Sequence, residues 1–332
     1  MPGTEAATRG GDTAPRAQRI PRVSLGMPLY NAERYLSKAF DALLAQDYDD
    51  FEIIVCDNAS TDATWEICKQ YAGKDRRIRL HRNEQNMGAA YNYNRTVELA
   101  RGELFRWVAY DDLCASSLIR RCVEELDASE PDVVLAYPRT VLIDDNGDEI
   151  GAYFDGLDLR SSRPYRRLAL FAKNRSLCNA AFGVIKLDRL RETGLIRPYI
   201  SSDIVLLAEL AALGKLHEVP ERLFYRRIHE KSSRQGATTS LEIVAQWFDP
   251  RSKAQLRRPH VGYRIAAAIM KTAIPFHQRL GATAAFLTVW LARRAHIRGS
   301  HLKQGFLRKL PRLQTNAHMA SNHARYRLDH RP

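Results

Sequence analysis

The sequence of 332 residues lacks the motifs that identify several classes of nucleotide-binding and metal-binding proteins. No GxGxxG follows the first apolar run and no GxxxxGK[ST] occurs, which argues against dinucleotide-binding folds and P-loop NTPases. The five cysteines show no CxxC or zinc-ligand spacing. Most of them lie inside apolar runs, so we expect buried, reduced thiols in a cytosolic protein.

Long apolar runs are also missing. The N-terminus has no apolar signal-peptide core, and residues 1–21 are rich in small and polar residues, so we expect this segment to be disordered. Two C-terminal apolar stretches are broken by polar residues and Pro275 before either reaches the roughly 20 residues that a membrane span needs. An amphipathic segment on a membrane surface is therefore favoured over a span.

Acidic residues are almost absent from the C-terminal part of the chain. Residues 251–332 hold 17 Lys and Arg but a single acid, Asp329, whereas residues 1–250 hold 34 Lys and Arg and 37 Asp and Glu. The net charge of +13 is thus a property of the tail and not of the preceding domain. A nucleic-acid-binding domain would carry basic residues across its own surface, so anionic lipid is the better partner for the tail. A plain helical extension with a disordered end is the alternative.

Strand and helix patterns alternate from residue 22 onward. Apolar runs such as "VSLGMPLY", "FEIIVCD" and "LFRWVAY" read as buried strands, and the segments between them show apolar residues at helical spacing. This rhythm predicts an α/β fold with a mostly parallel sheet and helices on both faces. Ligands bind beyond the carboxyl ends of such strands, where residues 28–31, 57–60 and 111–112 converge.

Two adjacent carboxylates, Asp111 and Asp112, follow the strand "LFRWVAY". Side-by-side carboxylates repel each other and are costly to desolvate, unless a cation neutralises them. Mg²⁺ or Mn²⁺ bound together with substrate phosphates is the usual cation for such a pair. The alternative is a solvated loop that caps the following helix.

The ordered set "SLGMPLYNAERYL", "DNASTDAT", "NMGAAYNYNRTVELARGE", "AYDD" and "SSD…LFYRRIH" resembles the family 2 glycosyltransferases, which have the GT-A fold. The resemblance covers residues 22–235 and leaves residues 236–332 as a basic, partly helical extension. Two positions depart from the family pattern. Ala109 stands where many members have an acid, and Ser202 replaces the usual glutamate before Asp203.

The resemblance implies a nucleotide-sugar site built from several segments. The residues that it assigns to this site are Pro28, Tyr30, Glu33, Asp57, Asn58, Asn86, Gly88, Asn94, Asp111, Arg226 and Arg227. Tyr30 can stack on a base or ribose, and the carboxylate of Asp57 can accept the N–H of uracil or thymine. A turn-capping role for Asp57 and a structural hydrogen-bonding role for Asn94 are the alternatives.

The resemblance also assigns the metal and the chemistry. Asp112 and His229 would hold Mn²⁺ or Mg²⁺, and Asp203 would be the catalytic base that takes the proton of the acceptor hydroxyl. The implied activity is inverting sugar transfer from a nucleotide-diphosphate sugar, with UDP or dTDP favoured, to a lipid-linked or glycan acceptor in cell-envelope synthesis. The implied location is cytoplasmic, peripheral at the inner face of the plasma membrane.

The alternative functions are a metal-dependent nucleotidyltransferase and a non-catalytic protein that binds membrane or nucleic acid through its basic tail. The first would need a Gly-rich, basic phosphate loop after the first strand, and "GMPLYNAERY" does not resemble one.

Overall fold

The computed structural model describes residues 20–174, 177–229, 248 and 261–309, with side chains up to residue 296. Strands and helices alternate through the first part of the chain, as the apolar periodicity predicts. These elements are β1 (Val23–Leu29), α1 (Glu33–Leu44), β2 (Phe51–Asp57), α2 (Thr64–Ala72), β3 (Ile78–Arg82), α3 (Ala89–Glu98), β4 (Leu104–Trp107), β5 (Leu113–Cys114) and α4 (Leu118–Ala128).

The second part of the described chain is less regular. It begins with a β-hairpin whose turn falls at "DNG", residues 145–147, a sequence typical of hairpin turns. The elements are β6 (Val133–Ile143), β7 (Glu149–Tyr153), α5 (Pro164–Lys173), a 3-10 turn (Asn179–Phe182), β8 (Val184–Lys186), α6 (Leu187–Arg191), α7 (Ser202–Leu213), β9 (Lys215–Arg227), α8 (Val261–Ile269) and α9 (Phe276–Lys309).

The described strands form one mixed sheet in the order β3-β2-β1-β4-β8-β6-β9-β5, with β7 paired to β6. Strands β1 to β4 run parallel, and their register aligns Leu29, Asp57 and Arg82 at one edge. The pairing of β6 with β9 is also parallel, whereas β5, β7 and β8 pair antiparallel. The loops after β1, β2 and β3 therefore leave the sheet side by side, which is the predicted position of the site.

Helices cover both faces of the sheet, which confirms the predicted α/β layering. Successive residues of β2 alternate between two apolar clusters, with Ile53 and Val55 on one side and Ile54 and Cys56 on the other. This alternation follows from the two-residue period of a strand. Gly26 in β1 lets α3 pack closely, because a Cβ there would lie 2.5 Å from Oγ1 of Thr96.

All five cysteines lie in the described residues and none forms a disulfide. Four are buried, and burial raises the pKa of the Cys56 and Cys122 thiols to about 12. Such thiols stay protonated near neutral pH and behave as small apolar side chains. This agrees with the sequence prediction of buried, unpaired cysteines.

The chain divides into two compact units, Met1–Trp290 and Leu291–Pro332. The first unit contains both the sheet and α8. Residues Ile265 and Ile269 of α8 are buried in the same apolar cluster as residues of α7. The buried residues of α8 thus belong to the core of the first unit, and the domain boundary at residue 235 stays a prediction. In the second unit the described residues are helical up to Lys309. The segment predicted to be disordered, residues 1–21, lies outside the described residues apart from residues 20 and 21.

The predicted break between the two C-terminal apolar stretches is confirmed. Helix α8 ends at Ile269 and α9 begins at Phe276, directly after Pro275, which lacks the backbone donor needed to continue a helix. Among the described residues, no helix combines the length and apolar character required to cross a membrane.

Candidate functional site

The loops that follow β1 and β2 are joined by hydrogen bonds. The backbone N–H of Asn31 donates to Oγ of Ser60 at 2.9 Å, and Oδ1 of Asn31 accepts the N–H of Thr61 at 2.9 Å. The carboxylate of Glu33 accepts the backbone N–H of Ala63, just before α2, at 3.0 Å. Both loops are therefore held in defined positions at the edge where the parallel strands end.

The first predicted segment places its residues differently with respect to solvent. Pro28 is buried in β1, Tyr30 is 40% exposed, and Glu33 is exposed while it accepts the bond from the α2 loop. An exposed aromatic ring at a sheet edge offers a stacking surface for a base or ribose. Nucleotide contacts by these three residues stay predictions.

Asp57 at the end of β2 is fully buried. Oδ2 of its carboxylate pairs with Nε of Arg82 at 3.0 Å, and Oδ1 accepts the hydroxyl of Ser60. The oxygens of Asp57 are covered and already have donors within the fold, and its pairing with a base stays a prediction. The alternative reading, a carboxylate that fixes the turn after β2, matches these contacts.

Asn58 and Asn86 bond to each other and shape the turn before α3. Nδ2 of Asn58 donates to Oδ1 of Asn86 at 2.7 Å, while Oδ1 of Asn58 accepts the N–H of Met87 at 2.9 Å. Oδ1 of Asn86 also accepts the N–H of Gly88 at 2.9 Å. Gly88 has a φ of 86°, a backbone conformation that glycine adopts without strain. The structure thus brings together all three predicted residues, and their ligand contacts stay predictions.

The sequence prediction missed Asn92, a buried residue of α3. Its Nδ2 donates to the carbonyl oxygens of Cys56 at 2.8 Å and Leu29 at 3.2 Å, and its Oδ1 accepts from Nδ2 of Asn83 at 3.2 Å. One side chain therefore ties together the ends of β1 and β2 and the loop after β3. The available signal was a polar residue four positions before Thr96, on the buried face of the helix.

Asn94 connects α3 to the segment that precedes α7. Its Nδ2 donates to the carbonyl oxygen of Ile196 at 2.9 Å, and its Oδ1 accepts the N–H of the same residue at 3.0 Å. Both ends of the amide therefore bond to Ile196, in the segment that leads into α7. A nucleotide-sugar contact by Asn94 stays a prediction.

The aspartate pair lies between β4 and β5, beside the end of β9. The antiparallel register of β5 and β9 sets Leu113 opposite Tyr225 and so brings residues 226–229 next to the pair. Oδ1 of Asp112 accepts the backbone N–H of Arg227 at 2.9 Å. Oδ2 of Asp111 lies 3.0 Å from Nε2 of His229. The sequence places these residues more than 100 positions apart, and the fold joins them.

Burial and the neighbouring charge of Asp111 raise the pKa of Asp112 to about 7. The positive charge of Arg226, the N–H of Arg227 and the buried guanidinium of Arg106 act in the opposite direction and do not cancel the rise. The metal-free fold therefore disfavours the ionised form of Asp112. A divalent cation at this carboxylate would relieve that penalty.

The side chain of Arg227 donates to backbone carbonyl oxygens around the aspartate pair. Its guanidinium is fully buried and donates to the carbonyl oxygens of Asp111 (2.9 Å), Asp144 (2.7 Å) and Asp145 (2.9 Å). It also lies 4.7 Å from the ring centre of Tyr35. These donors hold the loops around the aspartate pair in place, and a phosphate contact by Arg227 stays a prediction.

Arg226 points to the other side of β9. Nη1 donates to the carbonyl oxygen of Leu177 at 3.1 Å and to the side-chain oxygen of Asn179. Its charge acts on Asp112. A phosphate contact by Arg226 stays a prediction, and Asn179, which the sequence did not single out, fixes the position of this arginine.

Tyr35 is a second residue that the sequence prediction missed. Its ring packs against His229 with 5.4 Å between ring centres, and its hydroxyl donates to Asp145 in the turn between β6 and β7. Tyr35 therefore packs against the residues that hold the aspartate pair. An aromatic residue two positions after Glu33 was visible in the sequence, but its contacts depend on a turn 110 residues away.

The metal ligands predicted from the sequence are Asp112 and His229. Within the described ranges, no three His, Cys, Asp or Glu side chains are grouped to hold an ion. Nε2 of His229 lies 3.0 Å from Oδ2 of Asp111, and the role of His229 as a metal ligand stays a prediction. Mg²⁺ and Mn²⁺ commonly use one or two carboxylates together with substrate phosphates, so the aspartate pair fits a metal that arrives with the donor.

Asp203 lies in the first turn of α7, as predicted. Its Oδ1 accepts the backbone N–H of Ile204 at 2.9 Å, and the residue is half-buried. Ser201 stands at the N-cap position with a φ of 68° and makes no side-chain capping bond. The role of Asp203 as a base stays a prediction.

Comparisons with known proteins agree with this geometry. The family model described as Glycosyl transferase family 2 matches residues 24–184, which contain β1 to β7 and the aspartate pair. The matched region begins at the first strand and extends into β8.

Curated relatives are also named glycosyltransferases. An uncharacterized glycosyltransferase of Rickettsia typhi is 28% identical over 224 residues, which cover 67% of this chain and 69% of the relative. Glycosyltransferase GlyG of Streptococcus pneumoniae is 33% identical over 113 residues, which cover 34% of this chain and 38% of GlyG. The chain thus spans two thirds of the first relative and little more than a third of the second.

The fold has counterparts among solved structures. The crystal structure of S. aureus TarS 1–349 in complex with UDP-GlcNAc is 18% identical, with a TM-score of 0.59 over 80% of this chain and 71% of TarS. At this identity the likeness shows the fold alone. The family match, the relatives and the fold agree: residues 24–184 are a glycosyl transferase family 2 region, in a glycosyltransferase with the GT-A fold.

Proposed function

We propose that this glycosyltransferase moves a sugar, with inversion, from a nucleotide-diphosphate sugar to an acceptor hydroxyl. The observation that carries the proposal is the pair of the half-buried Asp111 and the buried Asp112 after β4, with the pKa of Asp112 raised to about 7. Carboxyl groups with a strongly raised pKa cluster at functional sites, where a ligand of opposite charge can bind them. UDP-sugars and dTDP-sugars are the favoured donors.

Asp112 would hold Mn²⁺ or Mg²⁺ together with the diphosphate of the donor. The bound ion would supply neutralisation of the charge that develops on the leaving diphosphate. Asp111, whose carboxylate is oriented by His229, would accept hydrogen bonds from hydroxyl groups of the ribose or sugar. Arg227 keeps both carboxylates in position through the Asp111 carbonyl and its own N–H.

Asp203 would act as the base. The acceptor oxygen forms a bond to the anomeric carbon while its proton passes to the carboxylate of Asp203. The bond between the anomeric carbon and the phosphate oxygen breaks, and its electron pair leaves with the nucleoside diphosphate. Asn94 supports this arrangement, because its two bonds to Ile196 fix the segment that leads into α7.

The acceptor that we propose is a lipid-linked or glycan hydroxyl used in cell-envelope synthesis, reached from the cytoplasmic side. The support is the basic, partly apolar C-terminal region, which suits a surface that carries anionic lipid. The family match favours sugar transfer over nucleotidyl transfer.

Calorimetric titration of UDP-, dTDP- and GDP-sugars tests the proposal. We expect one donor class to bind with Mn²⁺ or Mg²⁺, and binding to be lost with EDTA or with Asp112→Ala. The matched control is Asp49→Ala, which removes a fully exposed carboxylate and should bind as wild type does. Binding that is equal in EDTA and in the Asp112 variant would refute the metal-dependent site.

A further inference from the structure

The outer face of α9 carries an exposed apolar stripe. Phe276 is 63% exposed and Leu280 is 48% exposed, and Ala284 and Thr288 continue the same row at intervals of four residues. The opposite face of the same helix is buried, with Phe286 in the core. We call the row Phe276, Leu280, Ala284 and Thr288 the α9 stripe. Large apolar side chains this exposed are costly in water unless a partner covers them.

The charge around the stripe indicates which partner covers it. Between Asp249 and Asp329 the sequence has no acidic residue, and Lys271, just before the stripe, is exposed. A second copy of the stripe would bring this positive charge against itself, which disfavours a dimer through this face. A nucleic acid would neutralise the charge and leave Phe276 and Leu280 in water. An anionic bilayer satisfies both features.

We propose that the α9 stripe docks on the surface of a bilayer that contains anionic lipid. Phe276 and Leu280 enter the boundary between headgroups and acyl chains, and the exposed Lys271 contacts the lipid headgroups. This surface lies outside the catalytic residues, so the inference does not depend on which sugar is transferred. It brings the glycosyltransferase to the place where lipid-linked acceptor hydroxyls are found.

Vesicle sedimentation of the full chain tests the docking surface. We use vesicles of phosphatidylcholine alone and of phosphatidylcholine mixed with phosphatidylglycerol, at low and high salt. The test variant is Phe276→Ser with Leu280→Ser, and the matched control is Ile150→Ser with Phe154→Ser, a pair of similar exposure near β7. Circular dichroism and donor binding confirm that each variant is folded.

We expect wild type and the control to bind the anionic vesicles, with weaker binding at high salt and little binding to phosphatidylcholine alone. The Phe276 and Leu280 double variant should bind at least about tenfold more weakly, because two large apolar side chains no longer enter the interface. Donor binding should be the same in all three proteins, which separates this inference from the proposed function.

Three results would overturn the inference. The first is undiminished vesicle binding by the double variant. The second is release of the protein from vesicles by duplex DNA at physiological salt, which would identify a nucleic-acid surface. The third is a dimer in sedimentation equilibrium that the double variant dissociates while no protein binds vesicles, which would make the stripe an interface between two copies.

Discussion

Replacing Asp112 by Asn should stabilise the metal-free protein and abolish donor binding with metal. The substitution keeps a side-chain oxygen that can accept the N–H of Arg227, and it removes the ionised form that burial and Asp111 disfavour. The carboxylate of Asp112 thus lowers the folding stability of the metal-free protein, and metal binding requires its charge.

The size of the effect follows from the pKa of Asp112, which rises from 3.8 to about 7 on folding. Because the folded state keeps the proton longer, this carboxyl contributes stability at low pH and loses it as the pH rises toward 7. Each pH unit between the two pKa values costs about 1.4 kcal/mol, so raising the pH from about 5 to about 8 costs wild type roughly 2–3 kcal/mol at this residue. Asp112→Asn does not pay this cost.

Urea unfolding in EDTA at the two pH values measures it. The gain in unfolding free energy of Asp112→Asn over wild type should be larger at the higher pH by about that amount, because contributions from groups that do not interact with Asp112 cancel in the comparison. Asp49→Asn, at a fully exposed carboxylate, serves as the control and should show no such difference. An equal gain at both pH values would show that Asp112 is not a buried, destabilised acid.

Three further predictions follow from contacts in the described structure. Arg227→Met should lower donor affinity in calorimetry and destabilise the fold by about 3–5 kcal/mol, because buried carbonyl oxygens lose a charged donor. Arg227→Lys should recover part of the affinity and part of the stability. Wild-type affinity and stability of the Met variant would contradict the role of Arg227. Asn94→Leu should lower kcat more than it raises the donor KM, because it frees Ile196 ahead of the base; a change confined to KM would contradict this. Gly26→Ala should destabilise by about 1–3 kcal/mol in urea unfolding, because the added methyl group meets Thr96, and an unchanged midpoint would show that α3 can shift.

Much of the fold could be predicted because its signals are local. The alternation of buried strands and amphipathic helices gave β1 to β4 and their helices within a few residues, and "DNG" marked the hairpin between β6 and β7. The antiparallel insertion of β8 between β4 and β6 could not be predicted, because a three-residue strand has no periodicity to detect.

In the candidate site, too, the features that depend on nearby residues could be predicted, and those that depend on distant residues could not. The sequence places Asp111 and Asp112 at a strand end and Asp203 at a helix start, because those positions depend on nearby residues. The functions of Asp57, Asn94 and Arg227 depend on partners 25 to 116 positions away, such as Arg82 for Asp57. No spacing rule reveals that these polar side chains form hydrogen bonds with distant residues inside the fold.

The most direct test is transfer from a radiolabelled donor with wild type and Asp112→Asn, each with Mn²⁺ and with EDTA. Release of the nucleoside diphosphate is followed in the presence of a crude lipid extract as the source of acceptor. We predict release by wild type with Mn²⁺ alone, and none by the variant or in EDTA. Equal release by Asp112→Asn with Mn²⁺ would show that the aspartate pair is not the site where the donor reacts.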